Sequence, residues 1–125
     1  MTTQEIADRL VAMNRENLHI EIYEALYDTE NIVSVENWGE KMESKGLEAI
    51  KAKVELWFGS IEEVHEMRTS DPLVADKSFA VTFYMDVTHK AGNALGIPAG
   101  RSAMTELAIY HVNDDGKIYR EEFFA

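Results

Sequence analysis

The chain contains no cysteine, only two prolines and no cluster of basic residues. Without cysteine there is no disulfide, no thiolate metal site and no thiol nucleophile, and a reducing compartment is the simpler expectation. No apolar run approaches the ~20 residues that a membrane span needs. The opening Met1-Thr2-Thr3-Gln4-Glu5 lacks the basic and apolar parts of a signal peptide. A cytoplasmic protein is therefore expected. The formal charge of -11, from 23 acidic and 12 basic residues, would repel a phosphate backbone, so nucleic acid is not an expected partner.

What is present suits one domain: 125 residues, 46% of them apolar, support one core and leave no room for a second. A single domain over 1–125 is expected. Thr2 and Glu5 have capping-box spacing, and Ile6, Leu10 and Met13 recur at helical intervals, which predicts a helix over about 3–13. Asn14-Arg15-Glu16-Asn17 bends the chain into a second helix carrying Leu18, Ile22 and Leu26, which closes near Tyr27-Asp28-Thr29. Residues 32–38 alternate as a strand, with Val33, Val35 and Asn37 opposed to Ser34, Glu36 and Trp38. After a polar stretch over 40–45 comes a third helix with Leu47, Ile50, Val54, Trp57 or Phe58, and Ile61 on one stripe, capped by Gly46 or Ser44.

The second half reads as strands. Residues 64–74 form one that breaks at Asp71-Pro72, because proline has no N–H for the ladder. After a turn at Ala75-Asp76-Lys77, Phe79, Val81, Phe83, Met85 and Val87 give a long strand with a continuous apolar face. Residues 89–100 form a glycine-containing loop. Residues 104–124 read as a hairpin about Asp115-Gly116, a pair that tight turns favour. A two-residue turn sets Tyr110 opposite Glu121 and puts Glu106, Tyr110, Glu121 and Phe123 on one face. That face is polar at a few points only, a pattern suited to a pocket lining. The order is helix, helix, strand, helix, then four strands as successive hairpins. It predicts an α+β fold with three helices on a curved, mainly antiparallel sheet around a cone-shaped cavity.

This order resembles the NTF2-like superfamily, and its details resemble the SnoaL-like branch, with polyketide cyclases and relatives of ketosteroid isomerase and limonene epoxide hydrolase. The resemblance rests on Leu26-Tyr27-Asp28, on Gly46 through Ile50, on Asp71 through Ala75, and on Glu106 through Phe124. It implies a homodimer through the convex sheet face, where Ala80, Thr82, Tyr84 and Asp86 alternate. The isomerase's general base lies in a Val-Glu-Asp sequence of the first strand. Here Val35-Glu36-Asn37 places an amide there, and the isomerase's protonated aspartic acid falls at Ala108. Steroid isomerisation by that mechanism is therefore not expected. Glu36 is expected on the opposite face, and Arg101 and Asp86 are possible neighbours.

Glu106 and Glu121 are the candidate acid and base, with Tyr110 orienting the ligand. The plainer alternative is that a glutamate bonds Tyr110, or pairs with Arg101 or Arg68, and only fixes the hairpin. Asn37, Trp38, His65, Phe123, Met85 and Trp57 are the candidate ligand-binding residues. His65 could also be a satisfied or solvated histidine. One of Trp57 and Phe58 is explained by core packing alone, and His19 flanks or reaches the pocket. The four histidines lack metal-ligand spacing, and no phosphate loop or Ser-His-Asp arrangement is present, so no metal and no cofactor is expected. The expected partner is a small apolar or amphipathic molecule. Cofactor-free acid/base chemistry, a non-catalytic binding module and a dimeric scaffold with a filled cone all remain open.

Overall fold

The computed structural model describes residues 1–37 and 39–125. Helix α1 spans Thr3–Arg15, α2 His19–Leu26 and α3 Leu47–Gly59. The strands are β1 Val33–Glu36, β2 Met42–Lys45, β3 Ile61–Thr69, β4 Leu73–Val74, β5 Ser78–His89, β6 Gly100–Val112 and β7 Ile118–Phe124. They form one sheet in the order β2-β1-β7-β6-β5-β3, with β4 on β5. All pairings are antiparallel except β1 with β7. Among the described residues, no helix is long and apolar enough to cross a membrane.

The helix starts follow from local chemistry. Thr2 Oγ1 accepts from the Glu5 backbone N–H at 3.1 Å while Glu5 Oε1 accepts from the Thr2 N–H at 2.9 Å, a reciprocal capping box that satisfies two otherwise unpaired donors. Gly46 opens α3 at φ 88°, a conformation that disfavours a side chain, and its N–H donates to the Ile32 carbonyl at 2.9 Å. The apolar stripes of α1 and α2 pack Ile6, Leu10, Ile22 and Leu26 against Phe79, Val81, Ala108 and Ile118 of the sheet. Helix α3 contributes less: Ile50 is its one fully buried residue, Leu47 and Val54 are partly buried, and Leu56 and Phe58 are exposed.

Four local expectations are corrected. Residues 42–45 form edge strand β2, which has no apolar alternation to announce it because it pairs only on one side, with β1. Ile61 begins β3 and does not continue the α3 stripe. The Asp115-Gly116 turn is a five-residue connection, 113–117, in which Asn113 Oδ1 accepts from the backbone N–H of Asp115 at 3.1 Å and of Lys117 at 2.9 Å. Gly116 alone in it takes positive φ, 73°. A register shift between His111 and Val112 compensates for the longer loop, so Tyr110 still faces Glu121. Finally, the last strands are not a simple run of hairpins, because β7 also pairs in parallel with β1.

Candidate functional site

Between the helices and one face of the sheet lies a cavity of about 910 Å³. The strand registers arrange its sheet wall in rows. Ser34, Glu121, Tyr110 and Phe79 form one row across β1, β7, β6 and β5. Glu36, Phe123, Ala108 and Val81 form the next, then Glu106, Phe83 and Thr69, then Met104, Met85 and Met67. From the tyrosine row to the methionine row is roughly 20 Å, at about 3.3 Å per residue. Lys53, Val54 and Trp57 of α3 face this wall, with His19 and Tyr23 from α2. Exposed Met42, Phe58 and Leu95 stand at the rim.

The innermost polar groups are bonded to one another. Buried Tyr27, at the end of α2, donates its hydroxyl to Glu121 Oε2. Glu121 is also hydrogen-bonded to the Ser34 hydroxyl. Lys53 Nζ donates to Ser34 Oγ and to Glu36 Oε1, each at 2.7 Å, and lies 5.4 Å from the centre of the Phe123 ring. A chain of contacts thus runs Tyr27–Glu121–Ser34–Lys53–Glu36 across three elements and the end of α2. Burial raises the Glu121 carboxyl, while Tyr27, Lys53 and Ser34 pull it back. Burial likewise raises the Tyr110 hydroxyl, helped by the charges of Glu121 and Glu106.

Glu106 is different. Among the described residues it makes no hydrogen bond and no ion pair. Burial, and then the charge of Glu36, push its carboxyl up to about 7, with Lys53 opposing and Glu121 adding a smaller rise. Its neighbours explain the order of the charges: Glu36 lies one row away and Glu121 two. A carboxyl balanced between its two forms at neutral pH can either take or give a proton.

The residues singled out from the sequence divide accordingly. Glu106, Glu121, Tyr110, Phe123, Met85 and Trp57 all line the cavity. Tyr110 also stacks on Phe79, ring centres 4.9 Å apart and planes 22° apart. His65 stands at the cavity's edge on β3, its Nε2 2.6 Å from Thr88 Oγ1. Asn37 is not among the lining residues, and Glu36 is, which reverses the expected facing of this strand. The valines misled: Ser34 and Glu36 turn toward Lys53, so alternation sends Val33, Val35 and Asn37 to the other face. Trp38 lies outside the described residues. Neither arginine considered as a glutamate partner reaches Glu106 or Glu121: Arg101 pairs with Asp86 at 2.8 Å and Arg68 with Glu66 at 3.3 Å. Lys53, Ser34 and Tyr27 were missed. The signal available for Lys53 was its place one residue before Val54 on a helix that otherwise shows the sheet an apolar stripe.

The SnoaL-like domain model matches residues 1–125. No curated protein matches the chain. Among solved structures, a SnoaL-like protein of Mesorhizobium loti, described as a candidate polyketide cyclase, is 32% identical, with a TM-score of 0.82 and full coverage of both chains. A second candidate SnoaL-like polyketide cyclase, from a Jannaschia species, is 16% identical over 98% of this chain and 85% of its own, at a TM-score of 0.74. An NTF2-like protein of Burkholderia thailandensis is 13% identical over 99% and 90%, at 0.76. These last two share the fold.

Proposed function

The chain belongs to the SnoaL-like family, and from that premise we propose that it binds a small, largely apolar molecule in the cavity and transfers a proton on it through Glu106, without a cofactor. The observation that carries this reading is the Glu106 carboxyl, which has no bonding partner among the described residues and is pushed up to about 7 in the cavity wall. A buried carboxyl without a bonding partner is unfavourable for stability, and such groups cluster where chemistry needs them. The name carried by the Mesorhizobium loti relative is in keeping with acid/base chemistry of the cyclase type. Tyr110 and Phe123 would shape the inner end, and Met85 and Trp57 the apolar length.

Proton exchange tests the reading. The purified protein is screened by native mass spectrometry for a retained small molecule, which is then identified and returned to protein in D2O. Uptake of deuterium at carbon is expected with the wild type and is expected to slow by ~10²–10⁴-fold in Glu106→Gln, the usual worth of a positioned acid or base. Equal exchange rates in the two proteins would remove Glu106 from the chemistry. Retention of a ligand with no exchange would support the second reading, a binding module, which the mutual bonding of Tyr27, Glu121, Ser34, Lys53 and Glu36 favours because it ties these polar groups to one another.

The sheet face opposite the cavity, with Ala80, Thr82, Tyr84 and Asp86 of β5, is the proposed homodimer surface. These side chains are only half-buried in the single chain. Sedimentation equilibrium is expected to give twice the chain mass, and Tyr84→Glu to shift it toward one; a wild-type monomer would end the proposal.

A further inference from the structure

An ammonium group has three donors. Lys53 uses two, on Ser34 and Glu36, and has no third acceptor among the described residues. The two bonds, with the Phe123 ring beneath, hold the nitrogen between the first and second rows of the cavity wall. Ser34 is fully buried and Glu36 is tied to the same nitrogen, so the lysine cannot swing out to solvent without breaking both contacts.

We propose that Lys53 is a positioning residue whose third N–H holds an uncharged acceptor oxygen at one end of an otherwise apolar ligand. The proposal rests on the cavity reading given above. The charges around the nitrogen select the class. An anionic head would lie beside Glu36, Glu106 and Glu121, and a cationic one would meet Lys53 itself. A neutral oxygen meets neither objection and supplies the missing acceptor. With the oxygen seated there, the apolar body runs along the wall past Glu106 toward Met104, Met85 and Met67, whose flexible thioether chains fit varied shapes. Glu106 then flanks atoms one to two rows from the anchored oxygen, and the anchor decides which part of the ligand it meets.

A fluorescent ketone tests the anchor without knowledge of the natural ligand. The probe is 6-propionyl-2-(dimethylamino)naphthalene, whose emission moves to longer wavelength when its carbonyl accepts a hydrogen bond; the control is 6-propyl-2-(dimethylamino)naphthalene, in which a methylene replaces the carbonyl. Glu36→Gln keeps Lys53, and the double variant E36Q/K53M removes both members of the ion pair, so neither charge is left buried alone. Wild type and E36Q are expected to bind the ketone roughly tenfold more tightly than the control, the worth of one hydrogen bond to a charged group. Their bound emission is expected at long wavelength. The double variant is expected to bind both compounds equally, with the ketone emitting at shorter wavelength. A tenfold preference and long-wavelength emission that survive in the double variant overturn the anchor. So does equal binding of the two compounds by wild type, and that result leaves the cavity reading standing. Failure of every form to bind either compound overturns the cavity reading and the anchor with it.

Discussion

Glu106→Gln is expected to make the folded protein more stable at pH 8 and to leave it nearly unchanged at pH 4. The folded carboxyl titrates at about 7 against an ordinary 4.5, chiefly through burial and then the charge of Glu36. Below both values the side chain is protonated in the folded and unfolded chains alike and contributes nothing to pH dependence. Between them the unfolded chain releases its proton while the folded one keeps it, so stability falls as pH rises. Above 7 the loss is complete and constant, on the order of 3 kcal/mol at about 1.4 kcal/mol per pH unit. Glutamine carries no such charge and escapes the loss. Urea unfolding of both proteins at pH 4 and pH 8 measures it, and curves that stay parallel at the two pH values would mean that Glu106 is not the buried, unpaired group described. The result would also separate the site from the scaffold: a residue kept at a cost to stability, whose removal strengthens the fold and weakens proton transfer, fits a functional site better than a structural one.

Phe79→Ala is expected to lower stability by ~3–5 kcal/mol, the usual range for deleting a large buried aromatic ring. Phe79 is 2% exposed and packs within the core that α1 and α2 cover. It also supports Tyr110, with which it stacks, so the loss should reach the cavity. Chemical denaturation gives the first effect, and the near-ultraviolet circular dichroism of the tyrosines the second. A change below about 1 kcal/mol would show that the site collapses around the smaller side chain. Phe79→Leu, which keeps most of the apolar volume, is expected to recover much of the stability without restoring the stacked ring.

The main architecture was legible because strong periodic signals agreed with one another. The Thr2–Glu5 box, the stripe of Ile6 and Leu10, and the alternation of Phe79 through Val87 each pointed to the element found. The pairing of Tyr110 with Glu121 was readable too, although the connection has five residues, because a register shift at His111 and Val112 offsets the longer loop. Two features were not readable. Strand β2 is polar and mostly exposed, so no apolar alternation marks it, and β1 turns its polar residues inward, against the usual equation of apolar with interior. What draws Ser34 and Glu36 inward is Lys53, seventeen or more residues further along the chain. A helix lysine opposite a strand serine has no signature in either segment alone. The same holds for Tyr27 and Glu121, which are 94 residues apart.

The parallel pairing of β7 with β1 sets a schedule for synthesis. Residues 118–124 lie in the middle of the sheet, between β1 and β6, yet they leave the ribosome after every other strand. At a translation rate of ~5–20 residues per second, β1 waits several seconds for its partner and shows an open edge meanwhile, whereas β6 precedes β7 by only about a second or two. A chain clipped before residue 118 would not be a smaller working domain. It would lose Glu121 and Phe123 from the cavity and keep two unpaired edges that can recruit strands from other chains. The sheet is thus continuous only once the seven-residue strand β7 is in place between β1 and β6.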